Sequence, residues 1–231
     1  MTTILTKQAS LSHTPQHIHI EFSVPHQVIS SAVLNGGLVY ADHIVNIQVP
    51  KCFAAPKSPQ DALNEYCDDA NWNGLRVGMM TAASMDSFRM AKQSTQGVDI
   101  IVLVTSGLAN SRRVGDRAEH RTIAAESKEV GTINIIMMTS AILTGAAMVE
   151  AVLMITEAKT AALQDAGILS PISNKIATGT GTDSVAVVSG QGPDTINYCG
   201  KHVLFGEILG RMVTDTVASS IAWDIHHSQF A

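Results

Sequence analysis

Three threonines, two glycines and a carboxylate stand together in the stretch ATGTGTDSVAVV, residues 177–188. Thr178, Thr180 and Thr182 alternate with Gly179 and Gly181, and Asp183 follows. In an extended chain alternate residues point the same way, so this spacing turns three hydroxyls to one side. The bare glycine positions let a ligand approach the main chain. Hydroxyls and main-chain N–H groups can hold a developing oxyanion, and a carboxylate can move a proton. The same residues also make an ordinary turn, because Gly supplies unusual backbone angles and Thr and Asp hydrogen-bond locally. On this stretch alone both readings stand.

Three other apolar runs end in small or polar residues: Asn35-Gly36-Gly37, Thr105-Ser106-Gly107 and Gly131-Thr132-Ile133-Asn134. Four such ends suggest a shared rim around a ligand cleft, since pockets set a few polar groups on an apolar wall. The segment 105–120 carries Asn110, Arg112, Arg113, Asp116 and Arg117. It is either a solvated loop or a functional one. In TEAK (156–159), Glu157 and Lys159 sit on an Ala-rich helical stretch that also holds Glu150. A carboxylate beside a largely apolar helix can have a raised pKa suited to acid–base work, or it can simply face water. His202 falls on the same side as Gly206 at the start of the last helical stretch, and a lone His there is more often structural than catalytic. Gly206 and Gly210 would allow close packing, and Glu207 with Arg211 forms an i,i+4 pair worth about 0.3–0.5 kcal/mol. His13, His17, His19, His226 and His227 lie near the termini and receive no role.

These groups need elements to hold them. Residues 17–24 alternate and predict a strand, and 27–50 predict two strands around Asn35-Gly36-Gly37. Residues 58–71 begin as a helix, with Ser58 as cap, Pro59 in the first turn and Asp61 at the positive end. Residues 74–84 predict a strand leading into a short helix over MDSFRMAKQ. Residues 97–110 and 131–141 contain buried strands, 144–166 a long helix stopped by Gly167, and the opening stretch one more strand. The last helix starts near His202 and runs to about residue 220 or beyond. Several strands follow one another without a helix between them, so a strictly alternating doubly wound fold fits poorly. The expected class is α+β, a mixed sheet layered against helices. A single domain is expected over 17–231, with residues 1–16 a flexible N-terminal segment.

Composition bounds the function. The chain has 231 residues, 45% hydrophobic and 15% charged, which supports a large core and argues against disorder. A net charge of −5 and 4% aromatic residues fit neither a nucleic-acid footprint nor base stacking. Cys52, Cys67 and Cys199 are widely spaced, with no Cys-x-x-Cys pair, so no zinc site or redox pair is expected. No signal-peptide core or membrane span is read, and a soluble cytoplasmic protein is expected. The nucleophile elbow, the zinc-protease helix and the phosphate loop are all missing. The residues alone therefore lead to an enzyme or small-molecule binder with a Thr/Gly/Asn-lined cleft.

Taken together, seven segments resemble the adenosylcobinamide amidohydrolase family: LNGG (34–37), GMMTAA (78–83), VTSGLANSRRVGD (104–116), GTINII (131–136), TEAK (156–159), ATGTGTDSVAV (177–187) and GKHVLFGEILGRMV (200–213). Their order and spacing match over roughly residues 30–217. The chain lacks the family's Ala-Thr before Glu157, and Thr139-Ser140 replace an acidic residue, so neither Thr139 nor Ser140 is given a role. The resemblance implies hydrolysis of the amide joining a corrin propionate arm to aminopropanol. It implies a corrinoid as substrate partner, whose cobalt needs no protein ligand; the sequence itself requires no cofactor and marks no metal site. For amide hydrolysis, Asp183 or Glu157 is the expected base and His202 the expected acid for the leaving amine. Thr180, Thr182 or nearby N–H groups would hold the oxyanion. A covalent route would run through Thr182 or Thr132. Gly36, Gly37, Gly179 and Gly181 would admit the macrocycle, and Asn35, Asn110 and Asn134 suit its amide arms. Thr105, Asp116, Thr132, Lys159 and Thr178 complete the expected binding set. A non-catalytic corrinoid-binding protein and a hydrolase of a smaller amide are the alternatives, and a homo-oligomer is compatible with either.

Overall fold

The sheet is built from long-range pairing. The computed structural model describes residues 2–50, 58–118 and 131–228. In chain order the elements are β1 (Thr2–Thr6), β2 (Ala9–His13), β3 (His17–Ser30), β4 (Gly37–Gln48), α1 (Pro59–Asp69), β5 (Arg76–Thr81), a 3-10 turn at Met85–Ser87, β6 (Arg89–Thr95), β7 (Val98–Ser106), β8 (Ser111–Arg112), β9 (Ile133–Thr139), β10 (Ile142–Leu143), α2 (Gly145–Asp165), β11 (Gly179–Thr180), β12 (Ser184–Val188), β13 (Thr195–Ile196) and α3 (Leu204–Ser228). Nine strands form one mixed sheet in the order β1-β2-β3-β12-β9-β7-β6, with β4 pairing both β3 and β5. The β9–β12 and β4–β5 pairs are parallel.

Three strands are apolar without alternation because both their faces are buried. Ile100, Val102 and Val104 of β7, Ile133, Ile135 and Met137 of β9, and Val185 and Val187 of β12 pack with α2 and α3. The opposite residues, Ile101, Leu103, Ile136, Met138, Ala186 and Val188, join Leu5, Leu11, Ile20, Val28, Ile44 and Met79 in an inner core. The sheet therefore curls round on itself. Lys92 Nζ of β6 donates to the Leu5 carbonyl of β1 at 2.8 Å on one side of the curl. On the other, the Asn46 amide of β4 reaches Thr105 of β7 at 2.9 Å. Helix α1, capped by Ser58, lays Leu63 and Cys67 on Val45 and Ile47. The class is α+β, a single curled mixed sheet layered against helices.

Three expectations change. Residues 1–16 are not a flexible segment: β1 and β2 form a hairpin paired to β3, and Leu5, Ala9 and Leu11 are buried. MDSFRMAKQ is not a helix. Its residues favour one, but pairing Arg89–Thr95 against Val98–Val104 overrides that local preference. The strands expected over 17–24 and after 27 are one strand, β3, whose register shifts between Glu21 and His26. Pro25 falls within that interruption, where a missing N–H breaks no ladder bond. Cys52 lies outside the described residues.

Beside the inner core, His19 is buried, stacked on Trp72 at 3.8 Å, and hydrogen-bonded through Nε2 to His43 Nδ1 at 3.1 Å. His43 Nε2 in turn meets the Asn73 carbonyl at 2.7 Å. Burial pushes the His19 pKa down to about 3, with His43 and His17 adding to the effect.

Candidate active site

Three of the four polar edges meet at one end of the sheet, and Asn35-Gly36-Gly37 stays outside the group they form. Thr105 at the end of β7 pairs with Asn134 at the start of β9, and Asn134 pairs with Ser184 at the start of β12. The end of β3 joins them through Ser31, whose N–H donates to the Val185 carbonyl at 3.0 Å. Ser31 Oγ accepts the Val185 N–H at 3.1 Å.

Asp183 is the hub. One carboxylate oxygen, Oδ1, accepts the Ile133 N–H at 3.0 Å and the Thr180 hydroxyl at 2.5 Å. Oδ2 accepts the Thr180 N–H at 3.0 Å and pairs with the Lys159 ammonium. The two paired side chains are only 9% and 11% exposed. Lys159 comes from α2, so this pair ties helix to sheet. Gly179 is required here: a Cβ on it would overlap Asp183 Oδ2 and lie 2.8 Å from Lys159 Nζ.

Three hydroxyls and one carbonyl complete the cluster. Thr132 Oγ1 and Thr182 Oγ1 are 2.5 Å apart. Thr182 Oγ1 is 2.9 Å and Thr180 Oγ1 3.0 Å from the Gly131 carbonyl oxygen. Each hydroxyl has one proton. The Thr180 proton is committed to Asp183, the charged and nearer acceptor. Thr182 then donates to Gly131, and Thr132 donates to Thr182. Gly131 has φ +127°, and a Cβ there would sit 2.5 Å from Asn110 Oδ1. Asn110 is buried, and neither its oxygen nor its nitrogen has a hydrogen-bond partner among the described residues.

A second polar group lies beside this one. Asn134 Nδ2 donates to Asn46 Oδ1 at 2.8 Å and to the Met80 carbonyl at 3.0 Å. Asn46 continues the chain to Thr105. Asn134 Oδ1 has no partner among the described residues. The loop after β7 closes over the threonine strand: β8 pairs with β11, and Thr178 Oγ1 accepts the Val114 N–H at 2.8 Å. Asp116 accepts the Arg113 N–H at 2.8 Å and the Ser170 hydroxyl at 2.5 Å. The Ser170 hydroxyl leads the groups that hold its carboxyl below the usual carboxylate range. Asp116 thus shapes its loop, whose residues 119 and 120 lie outside the described region.

A cavity of about 730 Å³ opens at this end. Gly107, Leu108, Ala109 and Gly131 wall one side, and Trp223, Asp224 and His227 of α3 another. Asp224 fixes that wall by accepting the Leu108 N–H at 3.0 Å.

Some expected residues do not join the cluster. Glu157 is 57% exposed and paired with Lys201, because it lies two residues from Lys159 and so on a different face of α2. Glu150, on the Glu157 face, accepts the Cys199 N–H at 2.6 Å, so both carboxylates anchor the turn before α3. His202 is exposed in that turn and makes none of the cluster's hydrogen bonds. The thiol of Cys199 is pushed up to about 12 by burial and by Glu150, so it stays protonated. Asn35, with φ 52°, spends its amide on the Arg76 carbonyl at 2.8 Å. Gly36 packs on the Ala32 carbonyl, and Gly37, with φ +94°, serves the turn. Gly181 is exposed in the turn between Thr180 and Thr182. Asn46 escaped the sequence reading. Its signal was a lone Asn in the apolar run HIVNIQV, whose partners only the curl reveals. Gly131 is read from the sequence as part of a polar strand end at the cleft rim, and not for its carbonyl.

A fixed ammonium–carboxylate pair, a hydroxyl relay and a cavity beside them are the equipment of a hydrolase that acts on acyl compounds. More specifically, the chain belongs to the adenosylcobinamide amidohydrolase family (CbiZ), whose model matches residues 2–228. An adenosylcobinamide amidohydrolase of Methanosarcina mazei is 30% identical over 200 residues, covering 83% of this chain and 86% of that one. An uncharacterised protein of Methanocaldococcus jannaschii is 30% identical over 224 residues, covering 87% and 84%. Among solved structures, a Burkholderia β-aminopeptidase superposes with a TM-score of 0.43 at 14% identity, over 95% of this chain and 80% of that one. A likeness so distant carries no functional information. No helix among the described residues is long and apolar enough to cross a membrane.

Proposed function

We propose that this chain hydrolyses the amide between the corrin propionate arm and aminopropanol in adenosylcobinamide. The products are adenosylcobyric acid, which can re-enter cobamide assembly, and 1-aminopropan-2-ol. The observation that supports this most is the Thr132–Thr182 hydroxyl pair, 2.5 Å apart, held beside the buried Lys159–Asp183 pair and next to Gly131 of the cavity wall. The cobalt arrives with the substrate, and the residues assigned here touch only the amide arm.

In this reading Asp183 is an anchor and not the base. Four donors occupy its two oxygens, which leaves little capacity for a substrate proton. It orients Thr180, and through its bond to the Ile133 N–H it fixes the start of β9. The attacking oxygen comes from the Thr132–Thr182 pair or from a water held by it. The unpartnered Asn110 amide and Asn134 Oδ1 offer donors and acceptors to the corrin side-chain amides. The amide arm enters the cavity while the broad ring rests at its mouth, which suits a pocket of this size.

The test is release of aminopropanol from adenosylcobinamide by the purified protein, followed by mass spectrometry. Asp183→Asn should reduce turnover by about 10²-fold or more by misplacing the hydroxyls. Corrinoid binding without any release would defeat the catalytic reading and leave a binding protein.

A further inference from the structure

We propose that the protein cleaves its own backbone between Gly131 and Thr132, through an N→O acyl shift. Two threonine hydroxyls stand within 3.0 Å of the Gly131 carbonyl oxygen, Thr182 at 2.9 Å and Thr180 at 3.0 Å. Thr182 donates its proton to that oxygen, while the Thr180 proton goes to Asp183; a hydroxyl donating to a carbonyl oxygen is how sites hold the oxyanion of acyl transfer. The carbonyl belongs to the peptide bond whose next residue, Thr132, carries a hydroxyl. That hydroxyl is buried and bonded to Thr182 at 2.5 Å. Nucleophile, polarised carbonyl and proton relay therefore meet on one peptide unit.

Several residues serve this unit. Gly131 holds φ +127°, a conformation open to glycine and strained for other residues. Asp183 pins the Ile133 N–H, one residue beyond the bond, and aligns Thr180. The Asn110 side chain, buried and unpartnered among the described residues, packs directly against Gly131 and leaves no room for a Cβ there.

The step balances. Thr132 Oγ1 forms a bond to the Gly131 carbonyl carbon. Its proton passes to Thr182 Oγ1, whose own proton passes to the new oxyanion. When the tetrahedral adduct collapses, the C–N bond breaks and the adduct's hydroxyl proton goes to the departing Thr132 nitrogen. An ester and a free amine result. One water then hydrolyses the ester, giving a Gly131 carboxylate and restoring the Thr132 hydroxyl. The freed α-amine lies beside that hydroxyl, where it can act as its general base. This last consequence rests on the proposed amide hydrolysis, but the cleavage itself does not.

The protein as purified is followed by intact-mass measurement and N-terminal sequencing during incubation, with and without hydroxylamine. The expected result is a fragment beginning at Thr132 and a partner ending at Gly131, with hydroxylamine raising the yield and leaving a hydroxamate on Gly131. Thr132→Ser should still cleave and Thr132→Ala should not. Thr182→Val should slow cleavage by about 10²-fold or more. If Thr132→Ala fails to fold, the Thr132→Ser and hydroxylamine arms decide. A folded wild-type chain that stays intact throughout, hydroxylamine included, overturns the proposal. So does equal cleavage in folded Thr132→Ala. Aminopropanol release is measured on the same samples. Cleavage without release would sink the amide-hydrolysis reading alone, and release by an uncleaved chain would sink only the self-cleavage.

Discussion

Replacing Lys159 by Met tests whether the site is held by its buried ion pair. The two side chains are 9% and 11% exposed, so solvent screens them little. Removing one member of such a pair costs about 3–5 kcal/mol, because the other charge is left uncompensated. Here the loss falls toward the lower end, about 3 kcal/mol, because Asp183 keeps the Ile133 N–H, the Thr180 N–H and the Thr180 hydroxyl. With a urea m-value of about 2–3 kcal/mol/M, the midpoint of unfolding drops by about 1–1.5 M. The assay is a double-mutant cycle in urea with Lys159→Met, Asp183→Asn and the double variant. In the double variant no charge is left buried, so its loss should fall short of the sum of the singles by about 1–3 kcal/mol. Single losses that add to within about 0.5 kcal/mol would refute the coupling and, with it, the tie between helix and sheet.

Other perturbations follow from the same geometry. Gly179→Ala should cost at least as much stability as Lys159→Met and abolish turnover, since the new methyl overlaps Asp183 Oδ2; urea melts and aminopropanol release check this. Glu157→Gln should leave turnover within about two-fold and stability within about 0.5 kcal/mol, because its pair with Lys201 is exposed. Stability should fall with acidity well before carboxylates protonate. His19 is neutral in the folded state down to about pH 3, whereas unfolded chains take up that proton near pH 6.5. The unfolded state thus binds more protons between those values, and folding loses up to about 1.4 kcal/mol per pH unit from this one site. Burial lowers His17 and His26 in the same direction. Urea unfolding at pH 7 and 5.5 measures the slope, and His19→Gln should flatten it; equal slopes would remove His19 as its source.

Much of the site was legible because its residues are local to one another. The Thr–Gly alternation announced hydroxyls on one side, and the structure supplies the reason for Gly179 in the contact between Lys159 and Asp183. The runs ending at Thr105 and beginning at Gly131 were marked as strands by apolar residues buried on both faces. What stayed hidden depends on partners far away in sequence. Asn46 reaches Thr105 and Asn134 only because the sheet curls. Arg89–Thr95 looks helical until β7 is placed beside it. Glu157 and Lys159 look equally available in TEAK, and only the packing of α2 decides that the lysine turns inward. The N-terminal hairpin was missed because its polar residues hid the buried Leu5 and Leu11.

The position of β12 in the sheet bears on how the chain is made. It is the last of the nine strands to emerge from the ribosome, yet it lies between β3 and β9. Until residue 188 has been synthesised, those two strands face each other across a gap with open edges. A nascent chain stalled before that point would expose unsatisfied ladders that invite pairing with other chains. Emergence of β12, and not the growth of an independently stable N-terminal half, is therefore the event that commits this sheet to its native form.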